Sequence, residues 1–237
     1  MKLRLILTAL SSLFIMASQV SCANHPDHSS SVNASLGEKT GKSPGDNAYP
    51  LLWESKKADG RDWTNYVFTL IHQQEPSLLQ GAEDITTFCP GYYQLTTDER
   101  VNFWGLLVSG IVKYESNFEP TTRMHETTMG TDPVTGKPVY SEGLMQLSYQ
   151  DSRNYRFCDE FDWNGDKHLH PEDPRKTILD PYKNLNCGVK ILAQQIRNRN
   201  RITVSKGVYW AVIRLDGRNN KIAQISALTK KMPGCMN

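Results

Sequence analysis

The sequence predicts a mainly helical domain with one small β-hairpin and two disulfide bonds. Three observations support this fold class. Apolar residues recur with a helical period from residue 50 onward, turn-forming residues crowd between residues 120 and 143, and four cysteines remain once an N-terminal segment is set aside. The chain has 237 residues, of which 38% are apolar and 22% charged, so it can bury a core and is not disordered throughout.

The first 22 residues predict a secretory signal peptide. A basic start at residues 1–4 precedes an apolar run over residues 5–16 that is too short to span a bilayer. Cys22 then stands where lipoproteins carry their acylated cysteine, but Gln19 replaces the aliphatic residue usual in such sites. Acylation of Cys22 and cleavage by an ordinary signal peptidase therefore both stay open. We expect an exported protein, either periplasmic or secreted, with an outer-membrane lipoprotein as the lipidated form.

The charge balance argues against a nucleic-acid partner. The formal net charge is +2, and both excess bases, Lys2 and Arg4, lie in the signal peptide. The remaining chain carries as many acids as bases, so it lacks the electrostatic attraction to phosphates on which such binding rests. Residues 23–49, rich in Ser, Asn, Gly and Pro, predict a flexible linker. Residues 50–237 form the predicted domain, which we expect to be monomeric and without a membrane span.

The helices are predicted from apolar spacing and from capping residues. Thr96 and Glu99 have the spacing of a capping box, and Asp180-Pro181 pairs a good N-cap with a proline at the first helical position. In chain order, helices are expected from about residue 63 to Pro76, from Thr96 to about Tyr114, from Asp180 to about Ile196, over residues 207–215 and over residues 219–231. Between residues 120 and 143, two short extended runs flank a turn-rich stretch at residues 130–138, which predicts the hairpin.

Export changes the interpretation of the cysteines. An even number in an oxidising compartment implies two disulfide bonds, and four cysteines allow three pairings. We favour Cys158–Cys187 with Cys89–Cys235. The four positions contain neither a Cys-x-x-Cys pair nor the spacing of zinc ligands.

Glu115 is the strongest candidate for catalysis. It ends a predicted helix whose other positions are mainly apolar. Apolar surroundings and the negative end of the helix dipole both raise the pKa of a carboxyl group. A carboxylic acid that stays protonated near neutral pH can protonate the leaving oxygen of a sugar, as glycosidases require. The alternative is a solvated glutamate at the protein surface.

Three motifs in order resemble the lysozyme superfamily. Glu115-Ser116 ends a helix, the hairpin follows, residues 143–146 read Gly-Leu-Met-Gln, and residues 180–188 begin Asp-Pro with Asn184 and Gly188 farther on. This arrangement is similar to glycoside hydrolase family 23, the goose-type lysozymes and soluble lytic transglycosylases, over about residues 101–215. The resemblance implies a lysozyme-like α+β domain whose hairpin is a flap over an active-site cleft. It extends to lysozymes of predatory bacteria that act on deacetylated peptidoglycan.

The resemblance also assigns residue roles. Glu115 would be the general acid for cleavage of the β-1,4 bond between N-acetylmuramic acid and N-acetylglucosamine. In the lysozymes that act on deacetylated peptidoglycan, the glucosamine lacks its acetyl group. Ser116, Met145 and Gln146 would hold the glycan strand. The Ala-Tyr-Asn-Ala-Gly motif of lytic transglycosylases is missing, and residues 209–214 stand in its place. Tyr209 is a candidate substitute for the family tyrosine, with a packing role as the alternative.

Whether the reaction is hydrolysis depends on a second carboxylate. An inverting lysozyme uses one to activate water, whereas a lytic transglycosylase needs only the acid and forms 1,6-anhydromuramic products. Glu126, on the first strand of the flap, is our favoured base. Glu142 is the second choice for the base, and its alternative roles are substrate binding or a position in the first turn of the following helix. Glu119 and Asp132 are weaker candidates for the base. Separately, the acidic groups Glu119, Glu126 and Glu142 near the cleft would attract the cationic amine of deacetylated glucosamine. We favour hydrolysis over transglycosylation, with a non-catalytic peptidoglycan-binding module as the remaining alternative.

A polar loop over residues 162–173 approaches the pattern of an EF-hand. Asp162, Asn164, Asp166 and Asp173 would supply the calcium ligands. Lys167 occupies the position where an EF-hand has glycine, and the last position holds aspartate in place of glutamate, so we favour a loop without metal. His168 and His170 have no third zinc ligand at convincing spacing. The sequence predicts no cofactor.

Overall fold

The structure, a computed structural model, describes residues 48–236. The predicted signal peptide, Cys22 and most of the predicted linker lie outside the described residues. Within the described part, no helix is long and apolar enough to cross a membrane.

The described residues are mainly helical, with one two-stranded antiparallel sheet. A π-helical turn at Leu70–Gln74 extends the first helix, and Pro76 starts a separate 3-10 helix, which fits the predicted stop. The elements in chain order are α1 (Gly60–Thr69), α2 (Thr97–Glu115), β1 (Arg123–His125), β2 (Tyr140–Glu142), α3 (Asp151–Asn154), α4 (Trp163–Asp166), α5 (Pro181–Arg199) and α6 (Ile222–Thr229).

Helix α2 is the centre of the core and ends at the candidate catalytic residue. The Thr96 hydroxyl accepts a hydrogen bond from the Glu99 N–H, and the Glu99 carboxylate accepts one from the Thr96 N–H, which confirms the capping box. Every residue from 101 to 112 is buried, so the helix is surrounded by protein over its whole middle part. Asn117 and Phe118 then adopt positive φ angles of 50° and 65°, which stops the helix and turns the chain away.

Helix α5 begins as the Asp-Pro pair predicts. The Asp180 carboxylate accepts hydrogen bonds from the N–H groups of Tyr182 and Lys183, and Pro181 occupies the first helical position. The helix runs for 19 residues and ends at Asn200, which has a left-handed conformation. Its buried face packs against α1 and against the segment around Cys158.

The hairpin places alternate residues on opposite faces. Arg123 pairs with Glu142, Met124 with Ser141 and His125 with Tyr140. Because side chains alternate along a strand, Arg123 and Glu142 share one face, whereas Ser141 lies on the other. Between the strands, Asp132 accepts hydrogen bonds from the N–H groups of residues 134, 135 and 150, so it fixes the connection and ties it to the following chain.

Both predicted cysteine pairings are confirmed. Cys89–Cys235 links the segment before α2 to the end of the described chain, and Cys158–Cys187 links α5 to the segment after α3. Disulfide bonds are typical of proteins in oxidising compartments, so the pairing is compatible with export.

The helix predicted over residues 207–215 is wrong. That segment contains only a 3-10 turn at Ala211–Ile213 between extended residues, and Gly207 has a φ of +71°. Val204 and Arg214 form a parallel bridge, which holds the segment in an extended path. The tertiary contacts therefore override an apolar pattern that is helical on its own. The next predicted helix, over residues 219–231, is present as the shorter α6.

Candidate active site

The carboxyl group of Glu115 is sheltered at the C-terminal end of α2. Its Oε1 atom is buried and has no hydrogen-bond partner among the described residues. The backbone N–H of Val212 faces the carboxyl group and favours its charged form. Burial and, to a smaller extent, the negative charge of Glu126 raise the pKa of Glu115 to about 7, against the lowering effect of the Val212 N–H. Glu115 is thus protonated over most of the acidic range and able to donate a proton.

Glu126 lies next to Glu115, just after β1. Its backbone N–H donates to the Val139 carbonyl, which keeps this residue in the hairpin. The Ser141 hydroxyl donates to Glu126 Oε1 at 2.6 Å and fixes the direction of the carboxylate. Among the described residues, no basic side chain lies within ion-pair distance of Glu126. The site therefore contains a proton donor and a second carboxylate that no basic side chain of the described part neutralises.

The other three carboxylates considered from the sequence have different partners. Glu142 is buried on the opposite face of the hairpin, where it pairs with Lys176 and Arg123. Glu119 is at the surface, and its hydrogen bond with Lys57 lowers its pKa. Asp132, as described above, stabilises the hairpin connection. Of these candidates, the structure brings only Glu126 close to Glu115.

The loop at residues 143–146 packs directly against the end of α2. The Ser116 hydroxyl donates to the Leu144 carbonyl at 2.8 Å, so Ser116 holds this loop from the catalytic side. Gly143 has a φ of +80°, and a Cβ there would lie 2.3 Å from Asn184 Nδ2, so both conformation and space require glycine. The amide nitrogen of Gln146 donates to the Gly143 and Thr122 carbonyls, which leaves only the side-chain oxygen available to a ligand.

Met145 is buried with both its main-chain groups paired. Its N–H donates to Asn184 Oδ1 at 2.7 Å, and its carbonyl accepts from the Trp210 indole N–H at 2.8 Å. Its side chain lies against Gly188, where a Cβ would come 2.2 Å from the sulfur. The predicted roles of Ser116, Met145 and Gln146 in holding the glycan stay predictions, and in the structure all three help to shape the loop.

Asn184, to which the sequence motifs assign no role, clamps this loop. Asn184 is fully buried in α5, and its Nδ2 donates to the carbonyls of Glu142 and Ile178 while its Oδ1 accepts from Met145. The signal in the sequence is a single asparagine on the apolar face of the helix, four residues before Gly188. A polar side chain at such a position must have buried partners, but the pattern does not say which.

We expect the Asn184→Leu variant to lose about 2–5 kcal/mol of unfolding free energy. The substitution leaves the Met145 N–H and the Ile178 carbonyl without their partner, and each unpaired group costs about 1–3 kcal/mol. The Glu142 carbonyl loses one of its two hydrogen bonds and keeps the one from the Leu147 N–H. Urea denaturation followed by circular dichroism measures the change. The matched control is Asn65→Leu at an exposed position of α1. A loss no larger for Asn184→Leu than for this control would contradict the clamp.

Tyr209 lies beside the loop but its hydroxyl is not directed at Glu115. The hydroxyl donates to the carboxylate of Asp151, which also accepts from the N–H and hydroxyl of Ser148. The contact of this segment with Glu115 is made instead by the N–H of Val212. A backbone donor of this kind leaves no signal in the sequence. Binding of substrate by Tyr209 stays a prediction.

The polar loop proposed as a weak calcium candidate uses its oxygens internally. The Asp166 carboxylate is buried and accepts from Tyr149 and Thr177, and Asp162 caps α4. Asp173 pairs with Arg175, and Asn164 accepts from Lys167. In residues 48–236, no group of three or more His, Cys, Asp or Glu side chains is arranged to hold a metal ion.

The comparison with solved structures finds three structures of the same related protein. No protein-family model matches the sequence, and no curated protein matches it significantly. Three solved structures of the Bdellovibrio protein Bd0314 DslA are similar to this chain, with TM-scores of 0.63 to 0.65 and 28% to 30% identical residues. The similarity covers 78% to 79% of this chain and 97% to 98% of the relative. One structure is of the wild type, and each of the other two has a glutamate replaced by glutamine.

Proposed function

The chain belongs to the family of Bd0314 DslA, and from this premise we propose that it is an exported peptidoglycan-cleaving glycosidase of the lysozyme type. The bond cleaved is the β-1,4 linkage between N-acetylmuramic acid and N-acetylglucosamine. The observation that carries the proposal is the sheltered Glu115 carboxyl, with a pKa of about 7, beside the carboxylate of Glu126.

The two glutamates divide the reaction between them. Glu115 donates its proton to the glycosidic oxygen as the bond to the anomeric carbon breaks, so the leaving sugar departs as a neutral alcohol. Glu126 accepts a proton from a water molecule whose oxygen forms the new bond to that carbon. After product release, Glu115 regains a proton and Glu126 loses one to the solvent. The negative charge of Glu126 also favours the positive charge that develops on the sugar ring.

The mutants of the relative support this pair, because their two substituted glutamates have the same sequence separation as Glu115 and Glu126. The two glutamates replaced in the mutants of Bd0314 DslA are eleven positions apart in that protein. Glu115 and Glu126 have the same separation in this chain. Replacing a glutamate by glutamine keeps its shape and removes its titratable proton, the usual change by which a catalytic carboxyl is tested. We infer that Glu115 and Glu126 correspond to the substituted pair.

The fold proposed for the domain is lysozyme-like, with the hairpin as a flap over the cleft. The order of elements agrees with it, because the helix that ends at Glu115 is followed by the hairpin and then by the Gly-Leu-Met-Gln loop. Asn184 and Gly188 of the third motif contact that loop. The three motifs of the sequence resemblance thus meet around one carboxyl group.

A preference for deacetylated glycan is the second part of the proposal. Deacetylated glucosamine carries a positive charge at neutral pH, and among Glu119, Glu126 and Glu142 only Glu126 has no basic partner within ion-pair distance in the described chain. Its charge can therefore attract the free amine. The acetylated sugar lacks this charge, so Glu126 adds no such attraction to its binding.

The test is digestion of acetylated and deacetylated sacculi followed by mass spectrometry of the products. We expect reducing ends from both substrates, with faster release from the deacetylated one. Anhydromuramic ends would instead assign a lytic transglycosylase, and binding to sacculi without any release would assign a non-catalytic module. Equal rates on both substrates would exclude the acetylation preference alone.

A further inference from the structure

We propose that a second pocket, formed by the C-terminal half of α5 and the segment around residue 207, binds the peptide portion of peptidoglycan. We call it the α5 pocket. It has a volume of about 120 Å³ and opens to solvent. The side chains that carry the argument are Tyr155, Gln194, Gln195, Asn198, Arg199 and Tyr209.

Gln195 is a buried amide with an unsatisfied acceptor. Only 8% of the residue is exposed. Its Nε2 donates to the Ile202 carbonyl at 2.9 Å, whereas its Oε1 is buried with no hydrogen-bond partner among the described residues. An unpaired buried acceptor is unfavourable, because it has lost its bonds to water without gaining another donor. Gln195 lines the α5 pocket, so this unpaired acceptor lies at the edge of the space that a ligand would occupy.

Arg199 presents a guanidinium group that has no acidic partner within residues 48–236. A Cβ at Gly207 would lie 2.6 Å from Arg199 Nη2, so the guanidinium group lies against the main chain of Gly207. No carboxylate of the described residues is within ion-pair distance of Arg199, whereas Arg197 and Arg201 on either side pair with Glu75 and Glu83. A guanidinium group held in this way is suited to a carboxylate, which it can bind through two hydrogen bonds.

The chemistry of the α5 pocket favours a peptide over a sugar. Gln194 and Asn198 each carry a donor and an acceptor, the complement of main-chain amides, and Gln195 adds its unpaired acceptor. Tyr155 and Tyr209, with ring centroids 6.5 Å apart, provide apolar surface for small side chains. A protonated amino sugar would be repelled by Arg199, and a neutral sugar would leave Arg199 unpaired. A short peptide that ends in a free carboxylate suits the side-chain amides through its main chain, the tyrosine rings through its side chains and Arg199 through its carboxylate.

The distance from the proposed active site suits a peptide attached to the glycan. Gly188 contacts Met145 of the active-site loop, and Gln195 is seven residues farther along α5, or about 10 Å at the helical rise. About three extended peptide residues span that distance. The identification of the peptide as part of peptidoglycan rests on the proposed function. Tyr209 connects the two places, because its hydroxyl and Ser148 both bind Asp151.

Calorimetric titration of the full chain tests the pocket without any need for turnover. The probes are a disaccharide-tetrapeptide from peptidoglycan and the same disaccharide after an amidase has removed the peptide. We expect the peptide-bearing probe to bind the wild type at least tenfold more tightly than the bare disaccharide. Arg199→Gln, at an exposed position, should abolish that difference, whereas the control Arg197→Gln on the same helix should keep it.

Equal affinity of the wild type for the two probes, or an unchanged difference in Arg199→Gln, would overturn the α5 pocket as a peptide site. Cleavage of peptide-free glycan by the wild type is measured in parallel. Absence of that cleavage would count against the proposed function, and the titration would still decide whether the pocket binds peptide. The two failures are therefore distinguishable.

Discussion

Replacing Glu115 by glutamine is expected to slow peptidoglycan cleavage by at least about 1000-fold. Glutamine keeps the shape of the side chain but cannot donate a proton to the glycosidic oxygen, and general acids of this kind contribute about 100- to 10,000-fold. The measurement is the rate of product release from sacculi at pH 5 to 6, where Glu115 is protonated. Glu119→Gln, four residues later at the surface, is the matched control and should keep its rate. Activity of Glu115→Gln within tenfold of the wild type would contradict the assignment.

The same variant is expected to be more stable than the wild type at alkaline pH. The folded-state pKa of Glu115 is raised from 4.5 to about 7, so the folded protein binds this proton more tightly than the unfolded chain does. The wild type therefore loses stability as the pH rises from about 4.5 to about 7, by an amount on the order of 3 kcal/mol. Glu115→Gln cannot lose it. Urea denaturation at pH 4 and pH 8 should show a difference between the two proteins that appears only at the higher pH.

Replacing Glu126 by glutamine is expected to lower the rate of hydrolysis by about 100-fold and to shift its pH dependence. The rate falls because no carboxylate remains to take the proton of the attacking water. In the wild type, activity should decline as the pH rises through about 7, where Glu115 loses its proton. Removing the negative charge of Glu126 lowers the pKa of Glu115, so this decline should move to lower pH.

The experiment for Glu126 is a profile of rate against pH between 4 and 9 for wild type, Glu126→Gln and Glu119→Gln. The Glu119 variant should retain the wild-type profile, because Glu119 is paired with Lys57 at the surface. An alkaline decline at the same pH in Glu126→Gln and wild type would show that the two carboxyl groups do not interact. An unchanged rate would remove Glu126 from the reaction.

Local signals predicted the parts of the fold that depend on neighbouring residues. The capping box of Thr96 and Glu99 and the N-cap at Asp180 involve groups within three residues, and both are present. The apolar pattern that ends near Tyr114 also predicted that Glu115 would lie at the end of a helix. In the structure the helix stops there, and Asn117 and Phe118 have positive φ angles. These features need no knowledge of the rest of the chain.

Apart from the two disulfide pairings, features that depend on distant contacts were beyond the sequence pattern. Glu126 and Glu142 were both candidates for the base, and their separation onto opposite faces follows from the hairpin register, which the sequence does not determine. The segment at residues 207–215 is extended because Val204 bridges Arg214. The clamp by Asn184 and the approach of the Val212 N–H to Glu115 likewise join residues far apart in the chain.

The central claim is that Glu115 keeps its proton near neutral pH at the place where the sugar bond is cleaved. Carbon-13 NMR of the labelled glutamate carboxyl groups measures this directly, with Glu115→Gln identifying the signal. We predict a titration midpoint for Glu115 of about 7 in the wild type and a lower one in Glu126→Gln. A midpoint at 4.5, the ordinary value for glutamate, would contradict the account.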